Sequence, residues 1–326
     1  MAGFDYFIGI LLALIATVMF NLAPILQKDR LDTMKEVSFD KFWDSVKMML
    51  GDKKWVIGML VGMFGGVPYF FAVNYVGSAV VQPLIAFGYI VLVFAASKIL
   101  HEKLNIKAKS AITLLIIMPI FIVLGNVSNT TENMTDPAVQ LNLILFTVII
   151  SIFVAIMWVL TKKFPILWAP VTGTLFSSGA IYMQAILAYF RDAGYDLNTQ
   201  LGLLFKLLFT SSDFLIVWFL IIMCAFFNII AGYVNQIGLQ KVAASKFQPI
   251  NQTLNNMLTI FAGLTLYGQI VGSWFFYVIA IVMALIGTVI LGQFEIPSKN
   301  KDSGVNITNE KTPDPVSVSA SEEKLK

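Results

Sequence analysis

Gln248-Pro249-Ile250-Asn251-Gln252-Thr253-Leu254-Asn255-Asn256 lies inside an apolar run, and its opening triplet repeats Gln82-Pro83-Leu84 from earlier in the chain. The separation is 248 − 82 = 166 residues. The same shift carries the apolar runs 4–27, 54–76, 79–100 and 110–127 to within several residues of the runs 166–190, 213–236, 246–267 and 271–294. The run 140–160 has no counterpart. Each of the nine is long enough for a bilayer crossing, which takes about 20 apolar residues as a helix. They lack the alternation of barrel strands, and an open sheet in lipid would leave backbone groups unpaired, so each reads as a helix. Equivalent helices are an odd number of crossings apart and therefore run in opposite directions. The expectation is an all-α integral membrane protein with nine transmembrane helices in an inverted-topology repeat of four, one and four, with a substrate site between the halves near the midplane.

Composition points the same way. Of 326 residues, 58% are hydrophobic and 13% charged, against about 45–50% apolar and about 25% charged in soluble domains. Residues 1–296 are taken up by the spans and their connections, which leaves no room for a large catalytic domain outside the bilayer. The net charge of +3 is small and its carriers sit in loops, which excludes nucleic acid as a partner and leaves the lipid bilayer as the surroundings. The single cysteine, Cys224, rules out disulfide frameworks and cysteine metal sites and reads as a small core residue. The first run is longer than a signal h-region and has no preceding Lys or Arg and no small-residue cleavage site after it, so it reads as a retained span.

Charge sets the orientation. With nine alternating spans, 20 of the 22 Lys and Arg fall on the side of the odd loops and the C-terminal tail, and only Arg191 and Lys206 on the other. The positive-inside bias then puts the N-terminus outside and the C-terminus inside. Three glycosylation-type sequons, at Asn126, Asn129 and Asn133, fall in a loop that this count places outside. Six of the 19 acidic residues also lie outside, giving that face a net charge of 2 − 6 = −4 that would concentrate cations modestly. The segment 28–53 mixes charges with Val37, Phe39, Phe42, Trp43 and Met49, the pattern of a short amphipathic helix on the cytoplasmic interface. The tail 297–326 is polar and too poor in apolar residues to fold, so it reads as disordered.

At about 100° per residue, Gln248, Asn251, Gln252, Asn255 and Thr259 share one face of the eighth span, with Asn256 at its edge. Such a face cannot point at hydrocarbon. Amides in a membrane either join helices, at about 0.6–2 kcal/mol per bond, or line a wet path, and so many on one face favour the path. Gln82, Asn74 and Asn228 are further candidates for it, although each alone could equally join helices. Gly65-Gly66-Val67-Pro68 and the cluster Gly173, Ser177, Ser178 and Gly179 permit either close helix packing or a local break. No carboxylate lies mid-span and His101 is the single histidine, so side-chain proton coupling is not expected. Amide oxygens can replace waters around a cation, and Mg2+ keeps several of its own, so a neutral lining suits a partly hydrated divalent ion or a small polar solute alike. No nucleophile elbow or phosphate loop is present, one histidine cannot build a His-rich metal site, and no cofactor is expected, which argues against an enzyme.

Tyr6-Phe7-Ile8-Gly9, the stretch 65–81 leading into Gln82-Pro83-Leu84, the sequence Leu100-His101-Glu102-Lys103-Leu104 and the stretch 235–249 resemble the drug/metabolite transporter superfamily. Within it the chain looks most like the NIPA-type magnesium transporters, over residues 5–292. The resemblance implies nine helices, an inverted repeat and Mg2+ transport. Gly66 and Gln269 stand where the family tends to carry acids. The function expected is a carrier of Mg2+ or another divalent cation in the plasma membrane. A small neutral or zwitterionic solute as cargo is the alternative, and a membrane scaffold or lipid-handling protein the alternative of another class.

Overall fold

An apolar run becomes a helix of defined length only where something stops it. Asp136 shows how: its carboxylate accepts the Ala138 N–H at 2.8 Å, and Pro137 fills the first helical position, where no N–H is needed. The computed structural model describes residues 2–76, 84–85, 88–102, 106–125, 133–192, 214–268 and 270–293. In order, the helices are α1 Ala2–Leu31, α2 Phe42–Gly51, α3 Lys53–Val76, α4 Gly88–Ile99, α5 Ile106–Leu124, α6 Pro137–Thr161, α7 Trp168–Asp192, α8 Phe214–Lys241, α9 Ala244–Leu266 and α10 Trp274–Gln293. Single 3-10 turns at Phe39–Lys41 and Pro165–Leu167 lead into α2 and α7.

Among the described residues, Phe7–Leu31, Ile106–Leu124, Pro137–Thr161, Pro165–Phe190 and Leu215–Lys241 are long and apolar enough to cross a bilayer. Gly88–Ile99 and Trp274–Gly287 are shorter apolar helices. On α6 only 11% of the most apolar window is buried, and Ile149 and Val159 are about two-thirds exposed, a surface that water would not tolerate. The chain is an all-α, membrane-embedded protein.

Neighbour relations recur along the chain. α1 packs along α3 and touches α4, and α7 packs along α8 and touches α9. α4 meets α5 as α9 meets α10, and α5 lies against α10. α6 leans on α7 and only lightly on α9. The helices run unbroken through Gly65 to Pro68 and through Gly173 to Gly179, and Gly65, Gly173 and Gly179 serve close packing instead of a break, while Gly66 faces open space.

α1 and α8 finish at the same end of the bundle, and each is capped by the other. Lys28, buried in α1, donates to Leu239 O at 2.6 Å and to Asp32 Oδ1 at 3.1 Å. Gln240 of α8 donates to Leu31 O and Lys35 O, both at 3.0 Å, and accepts the Val37 N–H at 2.8 Å. The last carbonyls of a helix have no donor within it, and a cation beside them also suits the helix dipole. These caps let α1 run on to Leu31, a turn beyond the expected end at 27. One turn deeper, Gln236 accepts from Trp55 Nε1 at 3.1 Å and donates to Gln27 Oε1 at 3.0 Å, joining α8 to α3 and α1.

The amphipathic segment is docked more firmly than an interfacial helix alone would be. The Tyr233 ring sits between Phe39 and Phe42 at 4.8 and 4.7 Å, and its hydroxyl donates to Ser38 O at 2.7 Å. Val37 is buried, while Trp43 is 72% exposed on the far side of α2. Asn126, Asn129 and the tail 297–326 lie outside the described residues; Asn133 is exposed, its side-chain oxygen accepting from Thr135 N at 2.9 Å.

Candidate functional site

α9 carries the amide stripe, and its start needs outside help. Its N-cap position is Ala243, which has no side-chain acceptor for the free N–H groups of the first turn. Glu102, just beyond α4, fills the role: Oε1 accepts from Ala244 N at 2.8 Å, and Oε2 accepts from Ser245 N at 3.0 Å and from the Ser245 hydroxyl. His101 makes this possible by taking a left-handed backbone (φ 56°), which turns the chain so that Glu102 N–H also reaches Ala96 O at 3.2 Å. Further along, Pro249 has no N–H to give to the Ser245 carbonyl one turn before it.

The amides then form a small network with α8. Asn235 Oδ1 accepts from Gln248 Nε2 at 3.3 Å and from Asn251 Nδ2 at 3.4 Å, and the latter also reaches Gln248 Oε1 at 3.4 Å. With its donor turned to these two acceptors, Asn251 leaves its own oxygen pointing elsewhere. Asn251 Oδ1 and Asn255 Oδ1, one turn apart on α9, are buried and have no hydrogen-bond partner among the described residues. A buried carbonyl without a donor costs about 1–3 kcal/mol, so two on one face are acceptors suited to a ligand's donor or a cation.

Close backbone approach frames the network. A Cβ on Gly173 of α7 would stand 2.4 Å from Asn251 O, so only glycine lets α7 and α9 touch there. The matching pair α1 and α4 meets at Gly88, where a Cβ would fall 1.9 Å from Asn21 Nδ2. On another side of α9, buried Thr253 faces the hydroxyl of buried Tyr89 from α4.

Of the sequence-predicted residues, Gln248 and Asn251 come together with Asn235. Gln252, Asn255 and Asn256 follow on α9, half-buried, and Thr259 donates to Ser177 of α7 at 3.3 Å. Asn228 stands two turns from Asn235 on α8, against Gly179, and its amide donates to Cys224 O at 2.9 Å, a bond within its own helix. Asn74 lies in α3 with its side chain outside the described residues, as Gln82 is altogether. The sequence reading missed Tyr89 and Thr253, and it missed the capping role of Glu102. An alanine at the N-cap of a polar helix was the available hint that a distant acceptor is required.

The electrostatics are those of a neutral site. Among the described residues the buried polar groups are amides, hydroxyls and the two lysines Lys28 and Lys246, with no carboxylate. No three His, Cys, Asp or Glu side chains converge among them either. The arrangement can offer uncharged oxygen to a ligand and has no described acid with which to bind a bare ion. Compared with known proteins, the chain finds no match among family models, curated proteins or solved structures.

Proposed function

We propose that the chain is a carrier of the drug/metabolite transporter type, moving Mg2+ or another divalent cation across the plasma membrane by alternating access. In this reading it has nine spans in two inverted halves, α1, α3, α4 and α5 against α7, α8, α9 and α10, with α6 between them. Its N-terminus is outside and its C-terminus inside. The repeated neighbour relations of the two sets support the two-half organisation. The observation that carries the functional reading is the pair of partnerless oxygens, Asn251 Oδ1 and Asn255 Oδ1, buried on one face of α9. Neutral oxygens bind a cation that keeps part of its hydration shell, and Mg2+ surrenders water reluctantly.

A second reading has a specific observation behind it. The lack of a carboxylate among the described buried groups equally favours a small neutral or zwitterionic solute that brings its own N–H or O–H donors.

Purified protein in liposomes loaded with a Mg2+-sensitive dye separates the two. Influx that responds to an imposed membrane potential and is lost in Asn255→Leu supports the cation. Counterflow of an uncharged solute without Mg2+ flux transfers the site to the second reading. No flux of either kind, with the stripe required for binding another protein, would make the chain a scaffold.

A further inference from the structure

Among the described residues, most side-chain hydrogen bonds that join residues 2–125 to residues 168–293 gather at the end where α1 and α8 finish and α9 begins, with the Tyr89–Thr253 contact lying deeper. Lys28 to Leu239, Gln240 to Leu31, Gln236 to Gln27 and Glu102 to Ser245 all belong to it. At the opposite end α5 and α10 meet through a backbone bond, Ser273 N–H to Gly125 O at 2.9 Å. We propose that the first set is a latch that seals the cytoplasmic side of the carrier, and that Glu102 is the part that must let go for the site to open inward. The proposal rests on the two-half carrier reading above.

Three features single out Glu102. It caps a helix of the other half, so separating the halves breaks its bonds to Ala244 N, Ser245 N and the Ser245 hydroxyl together. The helix it holds is the one that carries the site: Ser245 and Asn251 are six residues apart, about 9 Å along the axis. Moving the start of α9 away from Glu102 therefore uncovers a short path to the partnerless oxygens. Finally, His101 is held in a left-handed conformation that disfavours any side chain with a Cβ. The Glu102 N–H to Ala96 O bond, made within one half, holds that turn and keeps the carboxylate aimed at the start of α9.

The test reads access from the cytoplasmic side directly. In a Cys224→Ala background, Gln252→Cys places a thiol on the stripe, and sealed vesicles of known orientation receive a membrane-impermeant maleimide on the cytoplasmic face. With Glu102 intact, labelling should be slow; Glu102→Ala should raise the rate at least tenfold, and Glu102→Gln, which keeps one carbonyl acceptor, less. His101→Gly removes strain and keeps the carboxylate, so it should label as slowly as the parent.

Equal rates with and without the Glu102 carboxylate would overturn the latch, as would a parent that labels as fast from the cytoplasmic face as from the outer face. If Glu102→Ala does not accumulate, Glu102→Gln against the parent carries the same comparison, with His101→Gly as the control that keeps the carboxylate. Labelling reports the gap and not the cargo. Faster labelling without Mg2+ flux leaves the latch standing and removes the cation reading, whereas flux with unchanged labelling removes the latch alone.

Discussion

Lys28 and Gln240 close each other's helices: Lys28 Nζ donates to Leu239 O at the end of α8, and Gln240 Nε2 donates to Leu31 O at the end of α1. Neither helix supplies these donors itself, so each end depends on a residue more than 200 positions away in the chain. Lys28→Met keeps the length of the side chain and removes the donor. Thermal unfolding in detergent should show a loss of about 1–3 kcal/mol, the cost of a buried carbonyl left without its partner. An unchanged melting temperature would mean that water replaces the ammonium there.

Two glycines should respond to the same substitution in opposite ways. Gly173→Ala pushes a methyl against the Asn251 carbonyl at 2.4 Å and must drive α7 from α9, costing about 1–3 kcal/mol or more. Gly66→Ala meets nothing within 4 Å and should be neutral, or stabilising by about 0.5–1 kcal/mol through the lower entropy of the unfolded chain. Paired melting curves of the two variants decide this.

Asn235 is the shared acceptor of the amide network. Asn235→Leu leaves the Gln248 and Asn251 donors without it and should lower stability by about 0.6–2 kcal/mol, while Asn235→Asp retains an acceptor and should lose less. If the leucine variant melts like the parent, the bonds of 3.3 and 3.4 Å contribute nothing measurable.

Arg30 bonds Asp52 at 2.9 and 3.1 Å where α1 ends and α3 begins, and this pairing, with the Trp55 N–H second, holds the Asp52 carboxyl below the usual carboxylate range. A depressed folded-state value stabilises above the unfolded value, about 3.9, and that stabilisation is lost as pH falls through the folded one. The gap in melting temperature between the parent and Asp52→Asn should therefore be constant from about pH 5 upward and shrink below about pH 4. A gap that closes near neutrality would implicate a different group.

How much of this could be read from the sequence varies residue by residue. The stripe on α9 was legible because helical spacing gathers Gln248, Asn251 and Asn255 whatever surrounds them, and the first of them does meet the second. The helices were legible because apolar length dictates them. Glu102 was not, because its partners are 142 and 143 positions away and nothing local distinguishes it from any other loop acid. Thr253 and Tyr89 escaped for a related reason: the first half of α9 is buried on several sides, and helical periodicity identifies one polar face and is silent about the others. Asn228 illustrates the converse, an amide of the expected type whose donor is spent on its own helix.

The shallow seating of α6 has a consequence for how the chain can be divided. It rests mainly on α7, with most of its surface turned outward, and the exposed Lys162, Lys163 and Phe164 join the two. The eight helices that repeat each other's contacts also meet directly, α1 on α8, α4 on α9 and α5 on α10. A chain severed at Lys163 should therefore reassemble when its two fragments are coexpressed, and copurification through a tag on either piece would reveal α6 as a covalent tether instead of a structural strut.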